Sequence, residues 1–195
     1  MILVITPESP VQNEADHINE MFHEGLDLLH IRKPGITKEA MIDFINEINQ
    51  AFYPRLVLHN HFDLGKEFTI SRLHFREQDR KENMYQSLTH GNIISTSVHE
   101  IATYNTLEKD WEYSFVSPFL PSISKKGYGE HSTVMEDIKQ RNNLEVRLIA
   151  LGGIHPGNIQ NVFDAGADGA ALLGAIWESD EPVNIFKKCK KNVRL

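Results

Sequence analysis

Eight short apolar runs recur along the 195-residue chain, most of them separated by longer stretches with helical spacing. They are Ile2 to Ile5, Leu28 to Arg32, Arg55 to His59, Arg72 to Phe75, Asn92 to Ser97, Tyr113 to Ser117, Val146 to Leu151 and Gly169 to Leu173. Runs this short suit buried parallel strands, and the intervening segments are long enough to cross over as helices. Eight is the number of parallel strands that closes a barrel. The order predicts an α/β fold, a compact single-domain (β/α)8 TIM barrel over residues 1–195. The rival, an open doubly wound sheet, needs a switch point that nothing in the order marks.

Caps and stops delimit the helices. Asn13 precedes Ile18, Met21 and Phe22, with Gly25 as a stop; Thr37 precedes Met41, Ile42, Phe44, Ile45 and Ile48. Thr133 and Glu136 have capping-box spacing, and Pro156 suits an early position in a helix predicted to run to Ala165 and stop at Gly166. The segment from Phe62 to Glu67 leaves room for about one turn, an irregularity in a strict alternation. Pro118 to His131 is the longest loop, placed after a strand where a substrate lid is expected.

Composition narrows the function. A net charge of −7 argues against general nucleic-acid binding, which draws its affinity from basic faces. No apolar run approaches the roughly 20 residues that span a bilayer. The single Cys189 excludes an intramolecular disulfide and a multi-cysteine zinc site. With no export signal at the N-terminus, the cytoplasm is the expected location. The expected partner is a small molecule, with neither nucleic acid nor membrane, and a homodimer is compatible with so small a barrel.

A parallel barrel does its chemistry at the C-terminal ends of its strands. There His30 and Arg32 close the second run, His59, Asn60 and His61 the third, His74 the fourth, and Ser97 and His99 the fifth. Histidine at successive strand ends points to acid/base chemistry near neutral pH. Gly152 and Gly153 end the seventh run, and Leu173 and Gly174 the eighth. Without side chains in the way, backbone N–H groups there can approach a phosphate, which barrel enzymes often bind after these two strands.

The chain resembles the thiamine phosphate synthase and TenI superfamily in His30-Ile31-Arg32-Lys33-Pro34, Leu58-His59-Asn60-His61, Leu73-His74 through Asp79, Ile94 through His99, Val116-Ser117-Pro118-Phe119 through Ser124-Lys125-Lys126, Ala150 through Ile154, and Gly169 through Ile176. For the synthase branch the resemblance implies joining a pyrimidine methyl diphosphate to a thiazole phosphate, with Mg²⁺ and pyrophosphate release. Arg32, Ser97 and Lys125 match that pattern, and Asp79 stands where a metal carboxylate is expected. Two positions depart from it: Pro34 replaces a lysine, and His59-Asn60 replaces Asn-Asp. An amide carries no negative charge for Mg²⁺, and a lost cation weakens the hold on a departing diphosphate.

These departures favour the sister activity, a TenI-like thiazole tautomerase that isomerises a thiazole carboxylate phosphate by proton transfer without a metal. In that branch the histidine of Ser97-Val98-His99 is the expected acid/base. Phosphate is expected at Gly152, Gly153, Leu173 and Gly174, the substrate carboxylate at Arg32 or Lys125, and further substrate contacts at His30, His59, Asn60, His74, Ser97 and Ser122. The synthase remains the alternative, with Mg²⁺ at Asp79. Two remoter readings are a histidine-bound metal of a hydrolase, with His59 and His61 on one face if their strand continues, and a non-catalytic sensor of a phosphorylated ligand.

Overall fold

The computed structural model describes residues 1–121, 123, 127 and 129–194. Its strands are β1 (Ile2–Ile5), β2 (Leu28–Ile31), β3 (Leu56–Leu58), β4 (Arg72–Phe75), β5 (Ile93–Val98), β6 (Trp111–Val116), β7 (Arg147–Leu151) and β8 (Gly169–Leu172). Neighbours pair in parallel in chain order, and β8 returns to β1 to close the barrel. The helices are α1 (Glu14–His23), α2 (Lys38–Asn46), α3 (Leu64–Glu67), α4 (Glu77–Lys81), α5 (Ile101–Tyr104), α6 (Val134–Asp137), α7 (Ile159–Asp164), α8 (Gly174–Trp177) and α9 (Pro182–Asn192). The predicted barrel is the observed one.

Alternation along each strand sorts side chains into two layers. Leu3, Ile5, Leu28, Val57, Tyr113, Phe115, Ile149 and Ala171 pack together inside the barrel. Their neighbours Val4, Leu29, Ile31, Leu56 and Leu58 face outward against buried helix residues such as Ile18, Met21, Met41 and Ile45. Removing these apolar surfaces from water drives the closure, at about 25 cal/mol per Å². Trp177 Nε1 donates to the Ile5 carbonyl at 2.7 Å, which ties α8 to the end of β1.

Several local signals resolve differently in three dimensions. Thr37 caps α2 as expected, its side chain accepting from Ala40 N at 3.2 Å. Asn13 stands at the N-cap of α1 with φ +55 and no side-chain cap bond. Thr133 makes no cap bond either; its hydroxyl donates to Asp137 Oδ2. Pro156 lies before α7, which begins only at Ile159. Replacing Thr37 by alanine is expected to lower stability by about 0.5–2 kcal/mol in equilibrium denaturation, because one helix-terminal N–H loses its acceptor.

Candidate active site

The C-terminal ends of the strands surround a cavity of about 490 Å³. Ile5 and Glu8 reach it from the end of β1, Arg32 from β2, and Arg76, Glu77, Gln78 and Lys81 from the end of β4 and α4. Ser97 and His99 come from β5, Ser117 from β6, Leu151 to Ile154 from β7, and Ala171, Leu173 and Gly174 from β8. Arg32, Ser97, His99, Gly152, Gly153, Leu173 and Gly174, all singled out in the sequence, therefore share one wall system. Ser122 and Lys125 lie outside the described residues.

His99 is the imidazole on that wall. Its Nδ1 lies 2.7 Å from the Ser117 carbonyl, which can only accept, so Nδ1 carries the hydrogen. The lone pair of the neutral ring then sits on Nε2, 3.9 Å from Glu77 Oε2. The His99 side chain is about half exposed, at 51%, so a ligand in the cavity can reach it.

Charged groups around the cavity are arranged in pairs. Arg32 meets Glu8, Lys81 and Arg80 both reach Glu77, and Arg76 grips Asp79. That last pair holds both carboxylate oxygens: Oδ2 accepts from Arg76 N and Nε at 2.9 and 3.0 Å, and Oδ1 from Nη2 at 2.7 Å. Hydrogen bonding from Arg76 keeps the Asp79 carboxyl below its usual range. The sequence pattern missed Glu8, Arg76, Glu77, Gln78 and Lys81. The start of α4 immediately after His74-Phe75 was the available signal, since residues just past a barrel strand face the mouth.

Three other histidines of the strand ends, His30, His59 and His74, occupy a different layer. His30 and His74 are sealed inside the barrel and His59 is half-buried; none of the three lines the cavity wall. His30 Nδ1 lies 2.9 Å from His59 Nε2, and His30 Nε2 lies 2.8 Å from the Tyr113 hydroxyl. His74 bridges Ser95 Oγ at 2.9 Å and Ser97 Oγ at 2.8 Å. Burial holds all three rings neutral. Desolvation, then the neighbouring imidazoles, pushes His30 and His59 well below the ordinary range, and desolvation takes His74 down to about 3. His30, His59 and His74, expected as substrate contacts, are not among the residues that line the cavity; His74 meets it through Ser97.

Two further expectations change. β3 ends at Leu58, and His61 adopts φ +49 with its Nε2 on the Ile36 carbonyl, so His59 and His61 do not share a strand face. Asn60 donates through Nδ2 to the Lys33 carbonyl at 3.0 Å and does not line the cavity. Lys33, next to the departing Pro34, does not compensate for the missing lysine: it is buried against Glu14 and the Pro7 carbonyl. The glycine pair is explained first by packing. Gly152 and Gly153 have φ of +113 and +67, and a Cβ on either would press into residues 118–121 of the loop after β6.

The model of a family described as thiamine monophosphate synthase matches residues 2–176. The thiamine-phosphate synthase of Geobacillus kaustophilus is 23% identical over 177 residues, covering 86% of this chain and 80% of its own. That of Dictyoglomus turgidum is 24% identical over 191 residues, covering 94% and 83%. Among solved structures, a thiamine phosphate pyrophosphorylase from Bacteroides thetaiotaomicron superposes with a TM-score of 0.77 at 26% identity, covering 98% of this chain and 96% of that one. One from Pyrococcus furiosus reaches 0.81 at 17% identity, covering 98% and 94%, a likeness of fold alone. With the eight-stranded barrel and the ordered motifs on its C-terminal rim, the match over most of the chain means that the protein belongs to the TMP-TENI family of thiamine biosynthesis.

Proposed function

We propose that the chain acts on a phosphorylated thiazole of thiamine biosynthesis, and that its step is the proton transfer that isomerises a thiazole carboxylate phosphate. The observation that carries this reading is His99: a cavity-wall imidazole whose Nδ1–H is committed to Ser117, with Nε2 left as proton acceptor. A general base has to stand within hydrogen-bond reach of the proton it takes, in a fixed tautomer, and this one is held by a backbone carbonyl. Nε2 removes the proton from one ring atom and, as the imidazolium, returns it to another, so the reaction balances without a co-reactant. In this reading the backbone at Gly152, Gly153, Leu173 and Gly174 receives the phosphate, and Arg32 exchanges Glu8 for the substrate carboxylate.

The residues at the expected Mg²⁺ position do not fit that ion. Mg²⁺ requires accessible hard oxygens, and bound Mg²⁺ draws on carboxylates together with water and phosphate. Asp79 has both oxygens held by Arg76, and Asn60 offers only a neutral amide oxygen. The second reading, a thiamine-phosphate synthase joining a pyrimidine methyl diphosphate to a thiazole phosphate, is favoured by the names of the relatives just described.

One coupled assay separates the two. The protein is mixed with the pyrimidine diphosphate and the aromatic thiazole phosphate, with Mg²⁺ and then with chelator, beside an authentic synthase. The expected outcome is no thiamine phosphate from this chain alone, and faster product formation by the authentic synthase when the non-aromatic tautomer is supplied with the chain present. Mg²⁺-dependent product from this chain at the control's rate establishes the synthase reading and overturns the tautomerase.

A further inference from the structure

Beneath the cavity, three histidines from successive strands converge. His30 projects inward from β2, His59 follows β3 and His74 lies on β4. Each offers a ring nitrogen, and these atoms all lie within 4.8 Å of one another. The closest pair, His30 Nδ1 and His59 Nε2, is 2.9 Å apart. Tetrahedral zinc with Zn–N bonds of about 2.0–2.1 Å spaces its nitrogens at about 3.4 Å; His59 and His74, stacked with ring centroids 4.4 Å apart, turn their rings toward a shared ion when they bind it.

We infer that His30, His59 and His74 form a binding site for one divalent transition-metal ion of the zinc class, separate from the carboxylate position expected for Mg²⁺. The donor set selects the ion: imidazole nitrogen suits Zn²⁺, Co²⁺, Ni²⁺ or Cu²⁺, whereas Mg²⁺ takes oxygen. The surroundings supply the outer partners that metal-bound histidines use to fix their tautomers. With Nδ1 of His30 on the metal, Nε2–H donates to the Tyr113 hydroxyl, already 2.8 Å away. His74 has a serine at each ring nitrogen and releases one of them to the ion while keeping the other.

Three imidazoles leave a four-coordinate ion one position short, which water, hydroxide or an anion fills. Ser97 marks the route by which it arrives, because this residue both lines the cavity and touches His74. The site is thus built like an open three-histidine centre facing a cavity suited to a phosphorylated ligand. Nothing in it depends on the reaction proposed for His99, which lines the cavity wall above.

The test uses the full chain, stripped with chelator and titrated with Zn²⁺, Co²⁺ and Mg²⁺ by calorimetry and absorption. The expected result is one equivalent of Zn²⁺ per chain, no heat with Mg²⁺, and the intense visible bands of four-coordinate Co²⁺. His59→Ala is expected to weaken Zn²⁺ by about a hundredfold or more, on the scale that even outer-shell changes reach, and His99→Ala to leave it unchanged. Absence of a Zn²⁺ site in the wild type overturns the inference, and so does unchanged affinity in His59→Ala. If His59→Ala does not fold, the wild-type Co²⁺ spectrum decides: octahedral, oxygen-type bands reject the trio, and tetrahedral nitrogen-type bands with one-to-one stoichiometry support it.

Discussion

Alanine in place of His99 is expected to lower turnover of the thiazole isomerisation by about 10²–10⁴-fold, the range a positioned acid/base contributes, with KM little changed. The split between the two constants follows from the geometry. His99 meets the cavity through one face of a side chain that is 51% exposed, and its only short hydrogen bond among the described residues is the one to Ser117 O. Removing the ring therefore takes away the proton carrier and leaves the cationic and backbone groups that would grip phosphate and carboxylate. Glutamine at the same position restores some bulk and a polar tip but has no ionisable nitrogen, and should be as inactive as alanine. Steady-state kinetics in the coupled assay read both constants. A His99→Ala enzyme with wild-type turnover removes His99 from the proton transfer, and a raised KM with unchanged kcat reassigns it to binding.

The parts of this site that were legible in the sequence are those fixed by strand order. A residue at the end of a barrel run faces the mouth whatever its neighbours do, which is why Arg32, Ser97, His99, Gly152, Gly153, Leu173 and Gly174 were found. What the run pattern could not give is depth along the barrel axis. His30 sits within β2 and His74 within β4, a step below the rim, so both point into the interior layer while Ser97 and His99 reach the cavity. Nor did spacing reveal who pairs with whom. Asp79, the metal carboxylate of the synthase reading, is paired with Arg76, three residues earlier, in the first turn of α4. Pairing across longer separations was equally hidden: Lys33 with Glu14 is a contact between β2's exit and α1. Local capping signals failed at Asn13, whose φ is +55, and at Thr133, whose hydroxyl turns to Asp137.

Gly153→Ala is expected to be the most damaging single-methyl change at the rim, lowering stability by about 2–5 kcal/mol and weakening binding of the phosphorylated ligand at least tenfold. Two costs add. At φ +67 any side chain meets the left-handed penalty, about 1–2 kcal/mol. The new Cβ would also stand 2.2 Å from Pro121 O and 2.8 Å from Leu120 Cβ. A backbone carbonyl cannot rotate away as a side chain can, so the segment from Pro118 to Pro121 has to lift off β7, at a further 1–3 kcal/mol or so. Lifting it stretches the bonds from Phe119 N to Leu151 O and from Leu120 N to Gly152 O, at 2.8 and 3.2 Å. Those bonds fix the backbone of β7's end, so the loss reaches the proposed phosphate contacts as well as the fold. Gly91→Ala is the comparison: its φ is +78 and nothing lies within 4 Å of its Cβ, so it carries the backbone penalty alone. Denaturation midpoints and ligand titration of the two variants separate the terms. Equal destabilisation at both positions would show that the loop yields freely and that Gly153 is required only for its backbone angle; a larger loss at Gly153, together with weakened binding, ties the loop after β6 to the phosphate end of the cavity.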